Sequence, residues 1–496
     1  MVKYFLCVTH GHHWLKTAIK LQKNNIAKPI LWLGDNVHYS EASDVFGEVV
    51  LNMETFVHHP LNLGKIEYTG ELNTFFDSQN YLQAKDRCLK MMDRLDLYGT
   101  FGRIDREAYF HNLVIFYLKY TFENRPDVFL SIDNPHSHAQ YLLYEICTFL
   151  KIPTFRFNNF ILNPLMFIEN IDTGKRFEFK DGIQSEMIKS KIQHSIDQFI
   201  VDLKEKKEDY DIYYMKNQKK EKKLQNRFKN FFTKTLKIEY KEIKHHLGLI
   251  LKNNKSNINP YRLNYFSRKK IQRIRKERLF EENCKSIEKM DFSKDYVYYP
   301  LHYEHERTTN PDGGDYQDQF KALIKLRSIV PKEIQIVVKE HPSQFFYSDK
   351  GSRGRSPLFY KLIKNINNLK LISSNENSIK LVLNSVFIAT ITGTVALEAA
   401  ILGKSTLYFG NAWYRGLPNT ISIKEKPTYI SMVNSIILNS EDISKFLIRI
   451  FENHSVLAFM NYSQKEFFKK DYADLIASNN DRDLYYLMEE FFKSHR

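Results

Sequence analysis

The run IATITGTVALEAAILGKSTLYFG, residues 388–410, decides the fold class. Ser385–Ile391 (SVFIATI) is a largely apolar stretch of strand length that stops at Thr392-Gly393-Thr394. Val395–Leu402 carries its Ala, Leu and Ile at helical spacing, and Ser405–Phe409 returns to strand composition. A strand, a tight turn, a helix and a second strand in so few residues is the repeating unit of a parallel α/β sheet. A strand that passes straight into a helix leaves backbone N–H groups without partners at the turn, which suits an anion such as a phosphate. Gly393 allows close backbone approach, and the hydroxyl of Thr392 or Thr394 can donate to the same group. Glu398, one turn into the helix, is placed to accept from a ribose hydroxyl. The plain structural alternative is a capping Thr394 with a solvated Glu398.

The same rhythm extends outward. Tyr296–Pro300 reads as a strand followed by a long polar loop, and Asp318–Ile329 as a helix. Ile334–Lys339 is a strand running into Glu340-His341-Pro342, and Leu369–Ile372 is a further short strand. At the other end of the chain, strands at 4–8 and 29–33 flank a helix over 14–25. The pattern returns at Asp127–Ile132, Ala139–Leu150 and Pro153–Phe157. The expectation is an α/β protein of two Rossmann-like domains with parallel sheets, joined by a basic helical insert. Its segments are 1–200, 201–290 and 291–440, with C-terminal helices over 441–496.

At 496 residues, two domains are also the expectation from length. No apolar run is long enough for a membrane-spanning helix, and the N-terminus has no cleavable signal pattern. Four scattered cysteines without a CxxC pair fit neither a disulfide framework nor a structural zinc site, so a cytoplasmic location is expected. The net charge of +15 is local: residues 204–278 hold 24 Lys/Arg against 8 Asp/Glu. The remainder is therefore close to neutral.

Three loops at strand C-terminal ends collect the groups suited to chemistry, where open α/β sheets bind ligands. The turn at 392–394 is the first. In the second, VVKEHPSQ (337–344), Lys339, Glu340 and His341 cluster where Pro342 turns the chain away. An imidazole there can donate to a phosphate or assist a departing group. In the third, residues 300–319, Arg307, Thr308 and Thr309 suit anionic groups.

These stretches, YPLHYEHERTTNPDGGDYQDQ, VVKEHPSQ and TITGTVALEAAILGKSTLYFGNAWYRGLPN, resemble the C-terminal half of bacterial capsular polysaccharide biosynthesis proteins, a group that includes Kdo-transferase-like glycosyltransferases. The resemblance covers roughly residues 295–420 and is weaker in the first domain, where Asp133-Asn134-Pro135-His136 is similar to the corresponding loop. It implies a GT-B-like fold whose C-terminal domain holds a nucleotide-sugar. In related cytidine-nucleotide-using transferases, an HP motif and a Ser/Thr motif bind the donor phosphate. Carried over, these are His341-Pro342 and Thr392-Gly393-Thr394, which favours a CMP- or CDP-linked donor over a UDP-linked one. The donor set is then Arg307, Thr309, Lys339, Glu340, His341, Thr392, Gly393, Thr394 and Glu398.

The Asp-Asp-Gly or Glu-Asp-Gly that marks the catalytic base of sialyltransferase-like relatives is absent. Candidates for the base come from the first domain: Asp133 and His136, or the loop holding His10, His12 and His13. No further ligand completes a metal site with those histidines. The expected enzyme is inverting and metal-independent, with no cofactor beyond its nucleotide-sugar and with a glycan or lipid-linked acceptor. The basic segment reads as a solvated helical insert or as a surface for an anionic membrane leaflet, with Phe228, Phe231 and Phe232 beside lysines. No nucleic-acid module accompanies it. Two rivals share the fold: a nucleotide-sugar epimerase and a non-catalytic polysaccharide-binding or export protein.

Overall fold

The computed structural model describes residues 1–7, 12–34, 39–52, 70–95, 102–159, 164–179, 186–205, 244, 265–346, 351–460, 472 and 483–495. Their strands form two sheets. The first contains β1 (Val2–Cys7), β2 (Ala27–Gly34), β3 (Val50–Asn52), β4 (Val128–Ser131), β5 (Thr154–Asn159), β6 (Leu165–Asn170) and β13 (Ser455–Leu457). Its order is β13-β6-β5-β4-β1-β2-β3. The second contains β7 (Tyr296–Pro300), β8 (Gln335–Lys339), β9 (Leu369–Ile372), β10 (Ile388–Thr390), β11 (Thr406–Tyr408) and β12 (Thr420–Ser422), in the order β12-β11-β10-β7-β8-β9. Every pair in the second sheet is parallel. Two Rossmann-like units with strand ends turned toward a shared cleft make this a GT-B-like architecture.

Both sheets are covered on both faces, so their strands need apolar residues at successive positions rather than alternating ones. Along β7, Val297 and Tyr299 enter one core, while Tyr296 and Tyr298 enter another on the opposite face. Along β1, Tyr4 and Leu6 separate in the same way from Phe5 and Cys7. Among the described residues Cys7, Cys88 and Cys147 are buried free thiols.

The first sheet is not wholly parallel. β6 runs antiparallel to β5, and β13 antiparallel to β6. β13 lies where the sequence reads as helical; Ser455, Val456 and Leu457 pair with Phe167, Met166 and Leu165, so a distant partner overrides local preference. Helix 483–493 then packs Leu484, Met488 and Phe491 into the first core. The chain therefore finishes in the domain where it began.

The crossing between domains comes early. In helix Glu186–Glu205, Ile188, Ile192, Ile196 and Ile200 recur every four residues and pack with Ala396, Leu397, Ile443 and Leu447 of the second core. The expected boundary at residue 200 falls inside this helix. Helix Tyr265–Ser286, within the basic insert, buries Leu279 in the separate cluster of Val297 and Tyr299 and sets Phe280 edge-on to Phe345. Residues 206–243 and 245–264, which hold Phe228, Phe231 and Phe232, lie outside the described residues. No helix among the described residues is long and apolar enough to cross a membrane.

Candidate functional site

The loops after β7, β8, β10 and β11 interlock at one end of the second sheet. A Cβ on Gly393 would come within 2.7 Å of the Thr390 hydroxyl, and one on Gly410 within 2.5 Å of the Asp312 carbonyl. Only glycine permits either approach. His302, two residues beyond β7 and fully buried, organises the turn: its Nε2 lies 3.4 Å from the Thr392 N–H and 3.1 Å from the Thr390 hydroxyl. The Thr390 hydroxyl also accepts from the Gly393 N–H at 3.1 Å. Burial, with lesser help from His341 and Arg355, pushes His302 down to about 3, so it is neutral and able to accept.

The expected donor-site residues divide into those that brace this turn and those that face outward from it. The Thr392 hydroxyl donates to the Thr308 carbonyl at 2.7 Å, and the Thr309 hydroxyl to Glu304 and to the Glu306 carbonyl, each at 3.0 Å. Lys339 donates to the Glu376 carbonyl at 2.8 Å and to the Ser378 hydroxyl. Glu340 is fully buried, accepting from Arg355 at 3.0 and 3.1 Å, from the Tyr360 hydroxyl at 2.7 Å and from the His341 N–H at 2.8 Å. Each of these polar atoms is already committed within the protein.

His341, Thr394 and Glu398 differ. His341 accepts from the Ser343 N–H through Nδ1 at 3.2 Å, which assigns the proton to Nε2. Burial first, then Lys339 and Arg355, lower it to about 4, so it offers a neutral N–H rather than a transferable acid proton. Thr394 occupies the N-cap of helix Val395–Ile401, yet its side chain makes no capping bond. The capping alternative therefore does not hold. The Glu398 carboxyl, only partly buried, has no hydrogen bond or ion pair among the described residues; desolvation raises it to about 7 against the pull of Lys339.

Across the cleft, Asp133 and Asn134 follow β4. Asp133 pairs with Arg307, and Asn134 donates to Asp312. Arg156 on β5 joins them, 3.2 Å from Asp312 and 2.6 Å from Glu169. Burial alone would raise the Asp133 carboxyl; Arg307, assisted by His136, reverses this and holds it below its ordinary value. The candidate base and a candidate donor-binding cation are thus paired with each other. His12 lies on helix His12–Lys23 with Nδ1 2.8 Å from Glu41, and both side chains are about half exposed. His10 falls outside the described residues.

Sequence reasoning passed over His302, Asp312 and Arg156. His302 carried a usable signal, a polar residue directly after a buried strand within PLHY. Asp312 and Arg156 carried none, because what joins them is a contact between the two domains.

Residues 190–424 match the capsule polysaccharide biosynthesis protein family. The matched stretch is just under half of the chain. It contains all three loops of the crevice and the whole second sheet. No curated protein matches the chain. Among solved structures, similarity extends to Thermosulfurimonas dismutans KpsC, β-Kdo 2,7 transferase, at 11% identity over 66% of this chain and 78% of that one, TM-score 0.27. UDP-GlcNAc 2-epimerase from Methanocaldococcus jannaschii is similar at 12% identity over 90% and 99%, TM-score 0.25. The KpsC β-Kdo 2,4 transferase from T. dismutans is similar at 16% identity over 36% and 55%, TM-score 0.23. Likenesses of that strength do not choose between transfer and epimerisation.

Proposed function

We propose that the protein is a glycosyltransferase of surface polysaccharide biosynthesis, taking sugar from a nucleotide-activated donor, CMP- or CDP-linked, to a glycan or lipid-linked acceptor. The observation that carries this reading is the uncapped Thr394 one turn before the unpaired Glu398, on the helix after β10. Partial burial without a protein partner raises the cost of its charge, so its retention argues for a ligand that supplies hydrogen bonds to it. A ribose donates two hydroxyls to such a group. The donor phosphate fits beside it, receiving the Nε2–H of His341, the Thr394 hydroxyl and the close backbone at Gly393.

The transfer we infer is a single displacement. The acceptor hydroxyl attacks the anomeric carbon while the bond to the phosphate oxygen breaks, and the hydroxyl proton passes to a base. Charge growing on the departing phosphate is met by preorganised N–H and O–H donors and by Arg307, so the reading needs no metal. A donor phosphate competing for Arg307 would release Asp133 from its ion pair and raise its basicity. Asp133 is therefore preferred over His12 as the base. Phosphate binding and base activation would then be one event.

A peripheral membrane position also fits the surface. Ile430, Val433, Ile436, Ile437 and Leu438 are exposed along one segment, and Lys204, the first cation of the basic run, donates to neighbouring Ser440 at 2.6 Å.

Thermal-shift titration with CMP, CDP, UDP, GDP and ADP tests the donor reading, since a ligand of the native state raises the melting temperature by mass action. Stabilisation by a cytidine nucleotide, lost in Thr394→Val, is the expected result. Stabilisation by UDP alone would favour the epimerase, and no response to any nucleotide would favour a binding or export role.

A further inference from the structure

A cavity beside the post-β7 loop is lined by none of His341, Thr394 and Glu398. It encloses about 350 Å3 between helix Gln79–Leu95 of the first domain and residues 304–319 and 353–359 of the second. That volume lies within the roughly 300–1,000 Å3 range of small-molecule sites. Three of its lining residues carry polar atoms that the protein leaves unused. His305 Nε2, Asn310 Oδ1 and Gln317 Oε1 are all buried without a hydrogen-bond partner.

The chemistry of these atoms is one-sided. Asn310 donates its amide to the Arg87 carbonyl at 3.2 Å, and Gln317 donates its amide to Asp86, so each amide oxygen is the free end. Burial lowers His305 to about 4, and a bond to the Arg353 backbone holds one ring nitrogen, leaving neutral Nε2 with its lone pair. All three are therefore acceptors awaiting donors. Buried acceptors left unmatched cost about 1–3 kcal/mol apiece, so a ligand rich in hydroxyls relieves them. Arg94, whose side chain hydrogen-bonds the His136 carbonyl and whose pKa burial lowers, adds a cation for ring or carboxylate oxygens.

A second cavity of about 440 Å3 adjoins the first, sharing Lys90 and Asp93, and extends along the same helix past Leu82 and Leu89. Leu82 is exposed and offers an apolar surface to a sugar face. A pocket of hydroxyl acceptors continued by an open groove suits a chain of sugars better than a single one.

We propose that these joined cavities form an oligosaccharide-binding track, a subsite for the acceptor glycan remote from the transferred sugar. Calling the glycan an acceptor rests on the transferase reading; the binding itself does not.

Saturation-transfer NMR on the full chain with maltotriose, cellotetraose and trigalacturonate, and glycerol as the control, tests the track. At least one oligosaccharide should show transfer well above glycerol. His305→Phe and Gln317→Met, which keep side-chain bulk and remove the acceptors, should each weaken it about fivefold or more. Transfer no greater than glycerol for all three, or transfer unchanged in both variants, overturns the proposal. Nucleotide thermal shifts measured on the same variants separate the two readings. Their absence in the wild-type protein would remove the transferase reading while leaving the track, and their persistence in both variants shows that loss of oligosaccharide is not loss of the fold.

Discussion

Glu398→Gln should make the protein more stable, and the gain should depend on pH in a calculable way. The carboxyl is raised from 4.5 to about 7 by burial, with no hydrogen bond to offset it. In the window between those values the folded state holds a proton that the unfolded state has released. Such a group therefore loses stability as pH rises through its folded value. Glutamine keeps the shape of the protonated acid without the charge. At about 1.4 kcal/mol per pKa unit, the variant should exceed wild type by about 3 kcal/mol at pH 8 and by about 1 kcal/mol at pH 5. Urea unfolding of both proteins at the two pH values measures this directly. A constant difference, or a variant less stable at pH 8, would refute the picture of an unpartnered, partly buried carboxyl. The same substitution should weaken cytidine-nucleotide binding, so stability and binding would move in opposite directions, as expected of a group retained for its ligand.

Glu340→Ala should destabilise by about 3–5 kcal/mol, because it strands the buried Arg355 guanidinium, whereas His341→Ala next to it should cost under about 1 kcal/mol and abolish transfer. Equal effects on denaturation midpoints would contradict that division. Asp312→Ala should cost about 3 kcal/mol in the same assay, since it removes a partner of Arg156, Arg307 and Asn134 at once; a change within error would show the interdomain cluster to be dispensable. Deleting residues 215–260, which spares the helix that buries Leu279, should reduce sedimentation with anionic liposomes, and unchanged sedimentation would remove the membrane reading.

What the sequence made legible was local. IATITGTVALEAAILGKSTLYFG announces β10, its turn, its helix and β11 through residue periods that need no distant partner. The isoleucines of helix 186–205 mark a buried face, but an apolar stripe does not name the core that receives it. β13 was hidden because Ser455–Leu457 becomes a strand only beside Leu165–Phe167. Within the crevice, residue type pointed to loops that the fold does bring together, and could not sort their contents. Glu340 has the composition of a ligand-binding acid, and only the fold brings Arg355 and Tyr360 onto it.

That sorting bears on how such crevices should be read. Lys339, Glu340, Thr309 and Thr392 look as functional in sequence as their neighbours, yet their polar atoms close bonds that hold loops from three strands in register. On the proposed reading His341, Thr394 and Glu398 are left for a ligand because that bracing is complete: a turn held by His302 can leave an N-cap hydroxyl unspent. The one candidate cation engaged elsewhere, Arg307, is committed across the cleft rather than within the crevice. A ligand that recruits it must exchange an interdomain contact for its own, which links occupancy of the second domain to the state of Asp133 in the first.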